Sequence, residues 1–262
     1  MLLDRYGVPG KVAVVTGASR GIGAATSMAL AEGGADLVVS ARDAAALQAL
    51  VDKVAADTGR RAVPVAADLN DLDQLPALIE AATSNFGRID IVVNNVGGTM
   101  PRPFLSTSAR YLEAGFHFNV TVAFELTKLA VPHLLAAGGG AVINVSSAMG
   151  RLVDRGYVAY GTAKAALIHM SRLAAVDLSP RIRVNVIAPG SIETDALGSV
   201  LNDEMRATMT AMTPAHRLGT AEDVAAAVVY LASDAGAFVT GKVLEVDGGL
   251  ITPNLSLGLP DL

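Results

Sequence analysis

The run Thr16-Gly17-Ala18-Ser19-Arg20-Gly21-Ile22-Gly23 follows a short apolar stretch, Val12–Val15, and opens an Ala-rich segment. Glycines at that spacing let a chain turn sharply out of a strand, bring its backbone against a bulky anion and press the next helix onto the sheet. The amino end of that helix then offers free N–H groups to a phosphate. Such a strand, turn and helix forms the first unit of a βαβ fold, and it predicts dinucleotide binding by Gly17, Ser19, Arg20, Gly21, Ile22 and Gly23.

The remaining chain, 262 residues in all, keeps the same rhythm. β-Branched runs recur at Leu37–Ser40, Ala62–Ala66, Ile89–Val93, Ala141–Val145, Ile182–Ile187 and Val243–Val246. Helix-length segments at about 21–33, 43–57, 71–86, 108–136, 159–178 and 220–232 separate nearly all of them. Strands so continuously apolar are covered on both faces, and right-handed crossovers then predict an α/β fold: a Rossmann-type doubly wound sheet of seven parallel strands, in one domain over 1–262. Asp43, Asp71, Ser108 and Thr220 stand where helix N-caps belong, with Asp223 three residues after Thr220. Segments 97–108 and 191–217 break the rhythm after strand ends, where open α/β sheets bind ligands, so both are expected to be substrate loops, with 193–217 the lid. The tail, 250–262, carries Pro253 and Pro260 without periodicity and is expected to be a mobile end or a cover for a neighbouring subunit.

Composition narrows the function. Hydrophobic residues make up 52% and charged ones 17%, which excludes disorder. The absence of cysteine removes disulfides, thiolate catalysis and Cys-ligated metals. A formal charge of −5 without a Lys/Arg stripe argues against nucleic acid and anionic membranes as partners. No export signal and no run of ~18 apolar residues is visible, so a soluble, cytoplasmic protein is expected. His117, His133, His169 and His216 show no metal-ligand spacing, so no metal is expected. Arg181 and Arg183 flank a strand and are expected to be solvated.

Further candidates lie at strand ends. Asp68-Leu69 ends the third strand, where an Asp can accept from an adenine amino group; Asn94-Asn95-Val96-Gly97 ends the fourth, where Asn side chains can tie strands together beneath a cofactor. Taken alone, each is more often a cap or loop residue. Tyr160 and Lys164 stand at i and i+4, on one helical face. A phenol with a pKa of ~10 needs about 4 kcal/mol of help to act near neutrality, and an ammonium ~4 Å away at an effective dielectric of ~20 supplies that much.

Taken in order, these motifs resemble the short-chain dehydrogenase/reductase family in its single-domain branch, over nearly the whole chain. The resemblance implies a cofactor loop at Thr16 to Gly23, an adenine-side Asp68 with Leu69, and an NNxG element containing Asn95 and Gly97. It implies a catalytic tetrad of Asn119, Ser147, Tyr160 and Lys164. Ser147 is preferred to Ser146 because the family places its serine 13 residues before the tyrosine. Tyr157 has Gly161 at i+4 and is read as pocket lining, while Val96 departs from the family's usual Ala. Pro189, Gly190, Ile192 and Thr194 match the motif beside the nicotinamide.

The implied reaction is reversible hydride transfer between a nicotinamide and a ketone or secondary alcohol. Tyr160 would donate the proton, Ser147 would hold the oxygen, and Lys164 would lower the phenol's pKa and bind the ribose. Asn119 would hold a relay water, with a helix bend as its alternative role. A catalytically silent nucleotide sensor or scaffold is the competing reading. Ala41 stands where NAD-preferring relatives usually carry Asp, and Arg42 and Arg20 flank the same place, so NADP(H) is expected over NAD(H).

A hydrophobic carbonyl substrate is expected: a steroid-like ketone, a small ketone or a 3-oxoacyl thioester, with Met100, Met149, Met205, Met209 and Met212 in or near pocket and lid. The stretch from His133 to Val145 has no Lys or Arg, which ranks a carrier-protein thioester lower. A mean hydropathy of +0.45, with helices near 108–136 and 159–178 apolar on more than one face, predicts a homotetramer, or failing that a dimer. Val246 to Gly249 is expected to form a second interface.

Overall fold

A computed structural model describes residues 1–198, 201–255 and 258–259, apart from the side chains of Asp195 and Ala196. Pro260 and the end of the tail, with positions 199 and 200 of the lid, lie outside the described residues. The strands are β1 Val12–Thr16, β2 Asp36–Ala41, β3 Ala62–Ala66, β4 Ile91–Asn94, β5 Gly140–Val145, β6 Ile182–Pro189 and β7 Val243–Val246. They form one parallel sheet in the order β3-β2-β1-β4-β5-β6-β7. The helices are α1 Gly21–Glu32, α2 Ala44–Thr58, α3 Pro76–Phe86, α4 Ala109–Phe116, α5 Val122–Ala136, α6 Val158–Asp177, α7 Asp195–Gly198, α8 Asp203–Met212 and α9 Ala221–Ala232.

The two-residue period of a strand divides the apolar residues between two cores. Along β1, Ala13 and Val15 pack with Leu30 of α1, Leu47 of α2 and Val228 of α9. Val12 and Val14 face the opposite side, with Leu78 of α3, Leu126 of α5 and Ala175 of α6. Both faces of the central strands are thus covered, which is why the runs read as continuously apolar. The chain runs from β1 out to β3, then crosses back to place β4 beside β1. Their carboxyl ends form the crevice where doubly wound sheets hold ligands.

The expected caps take their places. Asp43 accepts from Ala46 N at 3.0 Å, Ser108 from Tyr111 N at 3.2 Å, and Thr220 with Asp223 closes a capping box. Asp71 caps a short 3-10 turn, Leu72–Gln74, and Pro76 starts α3 instead, because proline at the first helical position loses no intrahelical bond. The helix expected over 108–136 is interrupted by a π turn, His117–Thr121. The expected lid loop contains α7 and α8. Arg183 is not solvated: its guanidinium donates to Leu231 O at 2.7 Å and burial pushes its pKa down. The tail's described residues fold back on their own chain, with Leu250 only 3% exposed beside Ala148 and Leu152.

Candidate active site

The turn after β1 takes the shape its glycines allow. Gly17 and Gly21 have φ of +65° and +54°, a region that costs other residues strain. A Cβ on Gly23 would lie 2.1 Å from Gly17 O, so only glycine lets α1 come so close to the turn. Arg20 is the N-cap of α1 and makes no side-chain capping bond, whereas α2, α4, α8 and α9 are each capped by a side chain. The first N–H groups of α1 therefore remain available to an anion. An uncapped helix behind a backbone this bare fits the pyrophosphate of a dinucleotide. Thr194 stands over the same turn, its Cγ2 3.2 Å from where a Gly21 Cβ would lie.

The paired asparagines brace the crevice floor. Asn95 Nδ2 donates to Thr16 O at 3.0 Å and Gly17 O at 3.2 Å, tying β4 to the turn. Asn94 Nδ2 donates to Asn144 Oδ1 at 2.8 Å and Thr127 Oγ1 at 3.0 Å, and Asn144 Nδ2 passes on to Ser171 Oγ at 2.8 Å. Asn144 was not singled out from sequence; its signal was its place beside Asn94 in the β4–β5 register. On the outer side, Asp68 is exposed and accepts from Asn70 N at 3.2 Å, while Leu69 is buried. Arg20 and Arg42 are both exposed at the crevice edge, and among the described residues no ion pair or side-chain hydrogen bond engages either.

Three of the four expected catalytic residues sit on α6 and in the turn that follows β5. Ser147 follows β5 and accepts from Met149 N at 3.1 Å. The Tyr160 phenol lies beside it, close enough for Ser147 to hold the phenol's pKa down, and Tyr157 packs alongside with ring centres 6.4 Å apart. Lys164 is 3% exposed, and its Nζ donates to Val145 O at 3.0 Å.

Burial decides both charges. It pushes the Tyr160 phenol above its ordinary value, with Ser147 offsetting part of the rise, and it lowers Lys164 to about 8. The lysine expected to depress the phenol instead lies 5.7 Å from the ring centre and satisfies a main-chain carbonyl. Desolvation therefore outweighs the ammonium at Tyr160.

Asn119 lies in the π turn and is fully buried. Its Oδ1 accepts from Gly98 N at 2.9 Å; its Nδ2 donates to Gly115 O at 2.8 Å and Thr99 Oγ1 at 3.1 Å. A side chain that bonds four residues back in its own helix while gripping another loop opens the helix there. A Cβ on Gly97 would lie 2.7 Å from both Asn119 Oδ1 and Lys164 Nζ, so Gly97 is what lets this loop pass between them. At the far side, Gly190 presses against Asp247, where a Cβ would stand 2.7 Å from its Cα, and Ile192 is buried. Pro189, Gly190, Ser147 and Tyr157 line one small cavity with Leu250, Pro253 and Asn254. Arg151 and Asn254, which join that cavity's walls, were not anticipated, and their partners lie 41 to 99 residues away in sequence.

The crevice and the proton-bearing phenol beside it define a Rossmann-type oxidoreductase. The family model described as enoyl-(acyl carrier protein) reductase matches residues 17–251. An uncharacterized oxidoreductase of Mycobacterium tuberculosis is 56% identical over 264 residues, all of both chains. The cis-4-hydroxycyclohexanecarboxylate dehydrogenase of Sinomonas cyclohexanicum is 40% identical over 91% of this chain and 96% of its own. A solved 7α-hydroxysteroid dehydrogenase, complexed with NADH and 7-oxo glycochenodeoxycholic acid, superposes with a TM-score of 0.91 at 37% identity, covering 94% of this chain and 96% of that one. The chain belongs to the short-chain dehydrogenase/reductase family and is an oxidoreductase. Among the described residues no helix is long and apolar enough to cross a membrane.

Proposed function

We propose that this protein interconverts an apolar cyclic ketone and its secondary alcohol with NADP(H), acting as a homotetramer. The observation that carries the reading is Ser147 lining the cavity beside Pro189 and Gly190, with the buried Tyr160 phenol next to it. The walls contributed by Met149, Leu152 and Leu250 are apolar, which suits a hydrocarbon ring with one oxygen to place. Two relatives are named for cyclic secondary alcohols or their ketones, which supports the same substrate class.

Bound in the crevice, the nicotinamide supplies the hydride donor or acceptor. Gly17, Ser19, Gly21, Ile22 and Gly23 would hold its pyrophosphate, Arg20 and Arg42 a 2′-phosphate, and Asp68 with Leu69 the adenine. Asn95, Gly97, Pro189, Gly190, Ile192 and Thr194 would border the nicotinamide half. Tyr160 holds its proton at neutral pH, as an ordinary phenol does and more firmly because burial raises its pKa, and so has a proton to give to a carbonyl oxygen. Ser147 donates to the same oxygen and fixes its position. Lys164, protonated below about 8, places a buried positive charge one helical turn from the phenol.

The test is turnover at 340 nm against cyclic ketones, a steroid ketone, quinones and acetoacetyl thioesters. Rapid reduction of a cyclic ketone supports the reading; turnover confined to the thioesters, or none, overturns it.

A further inference from the structure

Three stretches of chain that are distant in sequence meet on one buried amide. Asn254, 5% exposed, accepts through Oδ1 from Ser191 Oγ at 2.7 Å and donates through Nδ2 to Thr213 Oγ1 at 2.9 Å and Met209 O at 3.3 Å. Ser191 follows β6, Met209 and Thr213 mark the end of α8, and Asn254 belongs to the tail. Thr213 donates its own proton to Met209 O at 2.8 Å, which leaves its oxygen free to face Nδ2. Met209 and Thr213 are buried too, so these bonds are shielded from water.

Two of the joined segments, at Ser191 and at Pro253 to Leu255, line the cavity beside Ser147, and α8 stands behind them, bonded to Asn254. Arg151, just beyond the turn after Ser147, donates to Leu250 O and pairs with Asp247, which pins the start of the tail. Asn254 then clasps its continuation to the lid helix. The cavity's volume is about 80 Å³, below the roughly 300–1,000 Å³ of small-molecule sites. A ring-sized ketone therefore needs the wall to move, and the wall is held at Asn254.

We infer that Asn254 is a positioning residue that joins the tail and α8 into one gate, which opens and closes as a unit over the substrate. The inference rests on reading the cavity as the carbonyl site. Ser147 and Tyr160 are held by the β5 turn and α6, independently of the clasp, so its loss frees the wall to admit substrate and leaves the chemistry in place. The gate also sets substrate size, because a multi-ring ketone needs the wall to move further than a single-ring one does.

The experiment combines hydrogen–deuterium exchange with steady-state kinetics on the full chain, its Asn254→Ala and Asn254→Asp variants, and Ser191→Ala. In Asn254→Ala, exchange over 203–213 and 250–255 is expected to rise together, by about tenfold or more. KM for a multi-ring ketone falls by about fivefold or more, with kcat and the KM for NADPH within about twofold. Asn254→Asp turns a carboxylate toward Met209 O and behaves like Ala. Ser191→Ala removes one bond, keeps the fold and falls between. Exchange that rises in only one segment overturns the clasp. Exchange that rises in both with kinetics unchanged, or a kcat that falls in step, overturns its role at the substrate. If the wild type reduces no ketone, the functional reading fails while exchange still decides whether the gate moves as one.

Discussion

The Lys164 ammonium lies 5.7 Å from the centre of the Tyr160 ring, one helical turn along α6, and donates its hydrogen bond to Val145 O. Each group is held by burial nearer its neutral form than it would be in water. At neutral pH the phenol thus holds its proton, and the lysine is a charge whose presence depends on pH.

Removing the phenolic hydroxyl in Tyr160→Phe is expected to lower turnover by about 10²–10⁴-fold. Ser147→Ala costs about 10²–10³-fold through lost orientation of the same oxygen. Because the two hydroxyls are neighbours proposed to act on one oxygen, the double variant should be little worse than Tyr160→Phe alone. Steady-state kinetics checks this, with cofactor binding by fluorescence remaining within about twofold.

Lys164 makes a second prediction. Its folded pKa of about 8 lies below the ordinary 10.5, so the unfolded chain binds the extra proton between these values and stability rises with pH across that window. The full effect is about 3 kcal/mol at 1.36 kcal/mol per pKa unit. Lys164→Met should therefore be more stable than wild type at pH 7, and the gap should close as the pH approaches 10. Above about 10 the raised pKa of Tyr160 works in the opposite sense, since the unfolded tyrosine ionises first. Denaturant unfolding of both proteins between pH 7 and 10 reads the difference; a constant gap would contradict the buried-ammonium account.

Asn119 links the π turn to the loop after β4 through Gly98 N, Thr99 Oγ1 and Gly115 O. In Asn119→Leu those polar partners lose their mate at a fully buried position, at a cost of about 1–3 kcal/mol. A fall of about 2–10 °C in Tm follows. Turnover is expected to fall as well, because Gly97 packs against both Asn119 Oδ1 and Lys164 Nζ. Thermal unfolding alongside kinetics separates this from a relay role alone, which would leave Tm unchanged.

What was legible in the sequence was local. The glycine turn, the i, i+4 pairing of Tyr160 with Lys164, the strand rhythm and the helix caps each depend on residues within a few positions of one another. The π turn depends on Asn119 reaching Gly98, 21 residues away, so the sequence offered a helix bend only as the second of that residue's two roles. Arg183 looked like a flanking charge until its partners, 48 to 56 residues away, surrounded it. The raised phenol was hidden for another reason: spacing reports the neighbouring charge but carries no measure of desolvation, and desolvation is the larger effect here.

Assembly follows from the apolar surface. Phe116 and Phe124, on α4 and α5, are 43% and 46% exposed; Leu173 and Val176, on α6, are 56% and 77% exposed. Pairing these helices across a two-fold axis would cover them. Light scattering at micromolar concentration is expected to give about four times the 26.7 kDa chain mass. A Phe124→Asp variant should shift the particle toward smaller species, and a wild-type monomer would remove the proposal.

Cofactor choice depends on the end of β2. An acidic residue at Ala41 would bind a free 2′-hydroxyl and repel a 2′-phosphate, and none is there. Asp43, the nearest carboxylate in sequence, is occupied in capping α2 through Ala46 N at 3.0 Å. Arg42 and Arg20 flank the position without an acidic partner among the described residues. Guanidinium groups in that situation can make charge-assisted bonds to a phosphate. The wild type is therefore expected to favour NADPH over NADH in kcat/KM. Losing one such contact costs about 1–3 kcal/mol, so Arg42→Ala should cut the preference by about 5- to 150-fold. Arg20→Ala should act in the same direction, and the double variant should approach indifference, with kcat for NADH little changed because neither arginine reaches the reacting carbon. Equal use of the two cofactors by the wild type, or a ratio that moves by less than about twofold in Arg42→Ala, would remove Arg42 from the site.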